Sequence, residues 1–227
     1  LSIQGFSTDW ATLFAVMSAF SMTIGNLIAV RQSNIKRMLA YSTIAHAGYL
    51  MIGLAVLIAK SPGADIVPGA SGVLFYLAGY AVTNLAVFSA VIAISHKLNS
   101  DLIEDFAGMG HRAPFLTAVL SLGMVSLIGI PPTVGFMAKI YIFGAAMDSG
   151  MQWLAVVGVL NSVLSAYYYL KVVRTMFTTT SSSDEKIPSS GSLRTALGLA
   201  SLGVILFGVV PLPLFRLAES AILIALP

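Results

Sequence analysis

The chain has 227 residues, of which 57% are hydrophobic and 9% charged, against roughly 25% charged in an average soluble domain. Twelve Lys+Arg, nine Asp+Glu and a mean hydropathy of +0.91 exclude a soluble globular enzyme, whose surface would be bare apolar side chains. They also exclude disorder, which needs low hydrophobicity and high net charge, and a polytopic membrane protein remains.

The chain opens at Leu1 with no basic stretch ahead of an apolar run, so no signal peptide is expected and the chain is expected to start partway through a longer protein. A spanning helix needs about 20 mostly apolar residues. The first such run is 10–30. The basic cluster 31–37 (RQSNIKR) follows and reads as an orientation signal at the cytoplasmic surface; Lys36 is noted as a weak site candidate because it leads into the next span. That span, 38–59, carries His46 near its middle. Ser42, His46 and Tyr49 fall at i, i+4 and i+7 and so share one helical face. Such a face suits a hydrated path with imidazole as relay; a neutral histidine bonded to a neighbouring helix is the equal alternative. The third span, 72–95, carries Asn84, which with Ser42 and Tyr49 makes a polar face; packing between helices is the competing role.

The fourth run, 114–147, is too long for one straight crossing. It holds Gly129-Ile130-Pro131-Pro132-Thr133. Paired prolines remove backbone donors and clash with the preceding turn. Two separate crossings would need about 15 residues each, which is short for the bilayer core. One interrupted, locally unwound crossing fits better; a simple proline kink is the plainer reading. Unwound backbone at membrane depth is tolerated only in protein or around a wet cavity, and transporters place ion sites at such breaks.

Lys139 lies seven residues past Pro132 in Gly135-Phe-Met-Ala-Lys139-Ile-Tyr-Ile-Phe143. A charged lysine in hydrocarbon costs about 2.5 kcal/mol or more. A group that gains and loses a proton there is what a proton path needs. Snorkelling to the outer surface is the alternative, but about 12 Å of helix separates Lys139 from Met147, beyond its reach.

The fifth span is 151–170, ending in Tyr167-Tyr168-Tyr169-Leu-Lys171, which reads as an interfacial aromatic belt with a cytoplasmic anchor. A polar linker, 178–192 by composition, leads to the sixth span, 195–210. The tail 214–226 reads as an interfacial helix. Connections 31–37, 96–112 and 171–194 hold nine basic residues, and the opposite-side segments hold two. This positive-inside split predicts six crossings with both ends outside. Trp10 and Trp153 begin spans on the outer side. The expected domains are a five-helix unit over 1–177, a polar cytoplasmic linker over 178–194, and a final helix with its tail over 195–227.

The absence of cysteine removes disulfides, iron–sulfur ligation and thiolate zinc sites. His46, His96 and His111 are too scattered for a metal site. Basic residues are not clustered as nucleic acid binding requires. No nucleotide, flavin or quinone motif is present. Asp101, Glu104 and Asp105 read as a solvated loop face.

The segment Gln32-Ser-Asn-Ile-Lys-Arg-Met-Leu-Ala-Tyr-Ser-Thr-Ile-Ala-His-Ala-Gly-Tyr49 resembles the signature of the antiporter-like subunits of respiratory complex I, closest in its N-type form. Leu127-Ile-Gly-Ile-Pro-Pro-Thr-Val-Gly-Phe-Met-Ala-Lys139 resembles their second broken helix, Ala166-Tyr-Tyr-Tyr-Leu-Lys171 the helix that follows, and Leu77-Ala-Gly-Tyr80 the helix between. The resemblance runs over nearly the whole chain. It implies a fourteen-helix fold with two inverted five-helix repeats, of which this chain resembles the second repeat and the final helix. It places Lys139 at the titratable lysine of the second broken helix, where M-type subunits carry a carboxylate, and His46 beside the central polar axis. The acid and lysine of the first repeat have no counterpart here. The implied role is proton translocation in the membrane arm of an NADH:quinone oxidoreductase of the bacterial inner membrane, among other membrane-arm subunits and lipid. NADH, flavin, iron–sulfur clusters and quinone are expected in partner subunits, with no cofactor in this chain. A multisubunit cation/proton antiporter subunit and a non-transporting scaffold are the alternatives.

Overall fold

The computed structural model describes residues 3–59, 67–178 and 185–225, with burial defined from residue 10. Residues 60–66 of the predicted outer loop, 179–184 of the polar linker, and the last two residues of the tail lie outside the described residues. The described chain is helical: α1 (Ile3–Val30), α2 (Ile35–Ala59), α3 (Val67–Leu98), a single 3-10 turn (Ile103–Phe106), α4 (Met109–Arg112), α5 (Pro114–Ile128), α6 (Val134–Asp148), α7 (Gln152–Thr178), α8 (Gly191–Val209) and α9 (Leu212–Ala225). Among the described residues, five helices are long and apolar enough to cross a membrane: Trp10–Val30, Ile35–Ala59, Gly69–Leu98, Gln152–Thr178 and Gly191–Val209. The predicted fourth run is two helices of 15 residues each, α5 and α6, each about 22 Å long.

Lipid tails are as apolar as leucine, so helices in a bilayer associate by close van der Waals packing. The α1–α2 hairpin shows how this is done. A Cβ on Gly25 would come within 2.7 Å of the Ala45 amide nitrogen, and one on Gly48 within 2.7 Å of the Met22 amide nitrogen. The two backbones touch, and Ser18 donates to the Gly48 carbonyl at 2.7 Å. Asn34 starts α2 by accepting from the Arg37 amide at 3.0 Å, an N-cap that satisfies a free helix donor. The loop after α3 is stitched to this turn through Ile35 N–H to Asp101 O (2.9 Å) and Ile103 N–H to Ser33 O (2.8 Å).

Two apolar clusters form. One gathers Met38, Ile94, Phe106, Leu120, Tyr169 and Met176 toward the basic-loop end. The other gathers Ile52, Phe75, Ile142, Ala146 and Leu154 toward the opposite end. The polar residues described next lie where the two meet.

Three expectations change in detail. α7 runs to Thr178, well past residue 170. Tyr168 and Tyr169 therefore sit inside the bundle, 2% and 0% exposed, against the aromatic-belt expectation, and only Tyr167 faces outward. The last long helix begins at Gly191, capped by the Ser190 hydroxyl. The tail helix starts at Leu212 and packs its Phe215 ring against Tyr141, with centroids 4.5 Å apart.

Candidate functional site

α5 ends as its sequence dictates. Gly129 takes φ +88°, the left-handed conformation that favours glycine. Its N–H bonds Ser126 O (3.0 Å), and the Ile130 N–H bonds Val125 O (3.2 Å). This is a Schellman cap, and it leaves the carbonyls of Leu127 and Ile128 without backbone donors. Pro131 and Pro132, joined by a cis peptide bond, have no N–H to offer them. The chain re-enters helix at Thr133, whose hydroxyl donates to Ile130 O at 2.7 Å. The Gly135 N–H reaches back to the Ser126 hydroxyl at 3.3 Å.

Lys139 fills the vacancy. It is 6% exposed, and its stem folds back along Gly129, where a Cβ would meet its Cδ at 2.9 Å. Nζ donates to Ile128 O at 2.8 Å, to Leu127 O at 3.2 Å and to the Ser162 hydroxyl at 3.0 Å. It also lies 4.7 Å from the centroid of the Tyr49 ring, a cation–π distance. The α5 C-terminus, the negative end of that helix dipole, favours a cation there. No carboxylate pairs with Lys139 among the described residues.

An ammonium has three N–H donors, and three oxygens receive them. A neutral amine has two donors and a lone pair, so one partner must change. Ser162 can make that change: its hydroxyl now donates to Gly158 O at 3.1 Å and can turn to donate to the amine. The site thus accommodates both protonation states with one hydroxyl rotation.

The predicted face of α2 is buried, with Ser42, His46 and Tyr49 at 2%, 5% and 1% exposure. Its three members reach different partners. Ser42 bonds the Tyr169 hydroxyl. His46 Nδ1 bonds the Tyr76 hydroxyl at 2.7 Å, and its ring stacks on Tyr80 at 4.6 Å. The Tyr49 hydroxyl lies 3.3 Å from Ser162. A cavity of about 10 Å³ touches both His46 and Lys139, room for about one water molecule. A second cleft of about 500 Å³ opens beside the break between α6 and α7. Its walls are apolar apart from Lys139 and Ser162.

Lys36 is not part of this group. It lies at the start of α2, paired with Asp101 at 2.8 Å, and its hydrogen bond holds the Asp101 carboxyl below the usual carboxylate range. Asn84 is half-buried on α3, outside the bonds around Lys139. Asn161 locks α7 to α1 instead, its Oδ1 accepting from Asn26 Nδ2 at 3.0 Å; the Asn26 Oδ1 in turn accepts from Tyr168 at 2.9 Å. Asn26, a polar amide inside the first apolar run, is legible in the sequence; Ser162, Tyr76 and Ser126 escape it because serine and tyrosine are ordinary inside membrane helices. Their one sequence signal is that Ser162 falls mid-span, next to Asn161.

The chain is similar to known proteins over most of its length. The profile of the NADH:quinone oxidoreductase/Mrp antiporter transmembrane family matches residues 1–165. The chain is 41% identical over 215 residues to NADH-quinone oxidoreductase subunit N of Dehalococcoides mccartyi, covering 95% of this chain and 44% of that protein. The chain spans less than half the length of the curated relatives it matches. Among solved structures it is similar to a chain of the membrane-bound sulfane sulfur reductase, an archaeal respiratory membrane complex, with a TM-score of 0.83 and 30% identity over 94% of this chain and 42% of that one. It is also similar to a chain of respiratory complex I from Thermus thermophilus with bound aureothin, with a TM-score of 0.74 and 27% identity over 90% of this chain and 45% of that one.

Proposed function

Because the chain belongs to the NADH:quinone oxidoreductase/Mrp antiporter transmembrane family, we propose that it forms part of a proton-translocating membrane-arm subunit of an NADH:quinone oxidoreductase, with Lys139 as the group that takes up and releases the proton. The observation that carries this is the buried amine of Lys139 on the freed carbonyls of Leu127 and Ile128, with Ser162 as a reversible partner. A fixed structural cation needs no such switch. A lysine held without a carboxylate keeps its charge at a cost, and a modest change in its surroundings moves its proton.

In this reading α5 and α6 together make one crossing interrupted at Gly129–Thr133, and the chain crosses six times. The expected units are 1–177 as the five-helix unit, 178–194 as the polar link and 195–227 as the final helix with its tail; the last four residues of that link, from Gly191, already form the first turn of α8. The nine-to-two split of basic residues supports termini on the periplasmic side of a bacterial inner membrane. His46, one small cavity away from Lys139, is the next proton-handling group inward, and Ser42 and Tyr49 extend its face. Gly129, Pro131, Pro132 and Thr133 make the break. Lys36 orients the chain at the surface. Redox chemistry and its cofactors belong to partner subunits, whose reaction shifts charge along this axis.

The test is Lys139→Met in the complete complex. Methionine fills the same volume without a proton. Proton translocation, followed by a pH-sensitive dye in sealed vesicles, is expected to fall by about tenfold or more, the effect of about 1.4 kcal/mol on a limiting step. Quinone reduction should fall less. Wild-type translocation in this variant would remove Lys139 from the path, and sodium-driven transport without NADH oxidation would assign the chain to an antiporter.

A further inference from the structure

At the basic-loop end of the bundle, α3 ends beside the start of α8. His96 and Lys97 occupy the last turn of α3. With Ser189 and Ser190 they line a cleft of about 480 Å³ whose inner wall is Ile92 and Leu193. Both basic side chains are exposed, and neither forms an ion pair among the described residues. The hydroxyl of Ser189 is held by Arg194, whose Nε donates to it at 2.7 Å, so a further cation stands at the rim. Below the cleft the surface turns apolar and faces outward: Ile92 is 55% exposed, Leu199 66% and Leu202 59%.

We infer that this cleft is a binding site for an anionic phospholipid of the leaflet at the basic-loop side. The inference rests on the chain crossing the membrane with α3 and α8, and is independent of what Lys139 does. The chemistry is that of a phosphodiester carrying two acyl chains. Lys97 and His96 answer the phosphate charge, and the Ser189 and Ser190 hydroxyls donate to its oxygens. Ile92, Leu193 and the outward stripe of α8 take the acyl chains. A soluble phosphate would gain nothing from the apolar wall, and a zwitterionic headgroup brings its own ammonium against Lys97. Basic clefts between membrane helices at the headgroup level recognise anionic lipids for this reason.

The experiment uses the complete complex in phosphatidylcholine nanodiscs. These are doped with a phosphatidylglycerol carrying a photoreactive diazirine on one acyl chain, or with the matching phosphatidylcholine probe. Crosslinked peptides are read by mass spectrometry. The phosphatidylglycerol probe is expected to label the peptides containing Ile92 and Leu193 about fivefold more than the phosphatidylcholine probe does, a factor typical of one surface cation. The outward face of α1 around Leu13 and Met17 should show no preference. His96→Gln with Lys97→Gln is expected to abolish the preference, and Lys97→Arg to keep it. Both positions are exposed, so assembly is checked by size-exclusion chromatography. Equal labelling by the two probes, a preference that survives the double substitution, or no lipid labelling of these peptides would overturn the inference. Loss of labelling on adding glycerol phosphate would reassign the cleft to a soluble phosphate. Failure here leaves the Lys139 result untouched, because neither residue lies near the break.

Discussion

At Lys139 the deciding quantity is a count of donors and acceptors. Two carbonyls freed by the end of α5 and one hydroxyl from α7 receive the three N–H groups of the ammonium. Remove the hydroxyl and the charged state loses a bond worth about 1.5–3 kcal/mol, while the neutral state loses the donor that would face its lone pair. Ser162→Ala is therefore expected to leave the complex assembled and to slow proton translocation about tenfold, measured by the rate of dye quenching in sealed vesicles. An unchanged rate would mean that a water takes the place of Ser162. The effect should be specific to that hydroxyl: Ser165, one turn away on α7, donates to Ser162 O at 2.7 Å and does not touch Lys139.

Individual helices set where that lysine can reach. α5 must end in a left-handed residue so that Ile128 O and Leu127 O point into the site, and the Lys139 stem then crosses Gly129 with no room for a Cβ. Gly129→Ala meets both problems, a strained backbone costing about 1–3 kcal/mol and a contact of 2.9 Å with Lys139 Cδ. A lower thermal unfolding midpoint of the complex is expected together with lost translocation, read by differential scanning fluorimetry and by the dye assay on the same preparation. The loop joining α3 to the 3-10 turn is governed by a charge. The Asp101 carboxyl is depressed by its hydrogen bond from Lys36, so the pair's contribution is fully present above the ordinary carboxylate value of about 4 and is lost as pH falls through the lower folded value. Amide exchange at Ile35 and Ile103, which bond across this turn, should accelerate in that acid window. Asp101→Asn should remove the pH dependence.

Across the whole molecule, the polar residues are gathered between two apolar clusters, and α1, α7 and α2 close around them. Asn26, Asn161 and Tyr168 link α1 to α7 at that depth, so the site is framed by bonds between helices distant in sequence. The proposed orientation can be checked on this chain because it contains no cysteine. Ser100→Cys and Ser189→Cys are expected to react with a membrane-impermeant maleimide only from the cytoplasmic face, and Ser149→Cys only from the periplasmic face, when inside-out and right-side-out vesicles carry a background with other cysteines removed. Labelling of Ser149→Cys from the same face as Ser100→Cys, with Ser189→Cys labelled from the opposite face, would overturn the single interrupted crossing of α5 and α6.

Residue order alone made the helices legible. Long apolar runs with few charges can satisfy their backbones in a bilayer only as helices, and the paired prolines after Gly129 marked where one would stop. Lys139 was legible for a related reason: a lone amine in an apolar run stands out by its solvation cost. The partners of that amine were not. Ser162 lies 23 residues away, and its importance comes from α7 lying beside α6, which no local pattern encodes. Tyr168 and Tyr169 looked like interfacial rings because their helix was expected to end nearby, and only the packing of α7 against α1 and α2 buried them. Sequence thus determined which segments are helical and where a charge is out of place, since both are set by the transfer of each residue from water. The tertiary structure decided which oxygens meet that charge, because their positions depend on the contact of helices far apart along the chain.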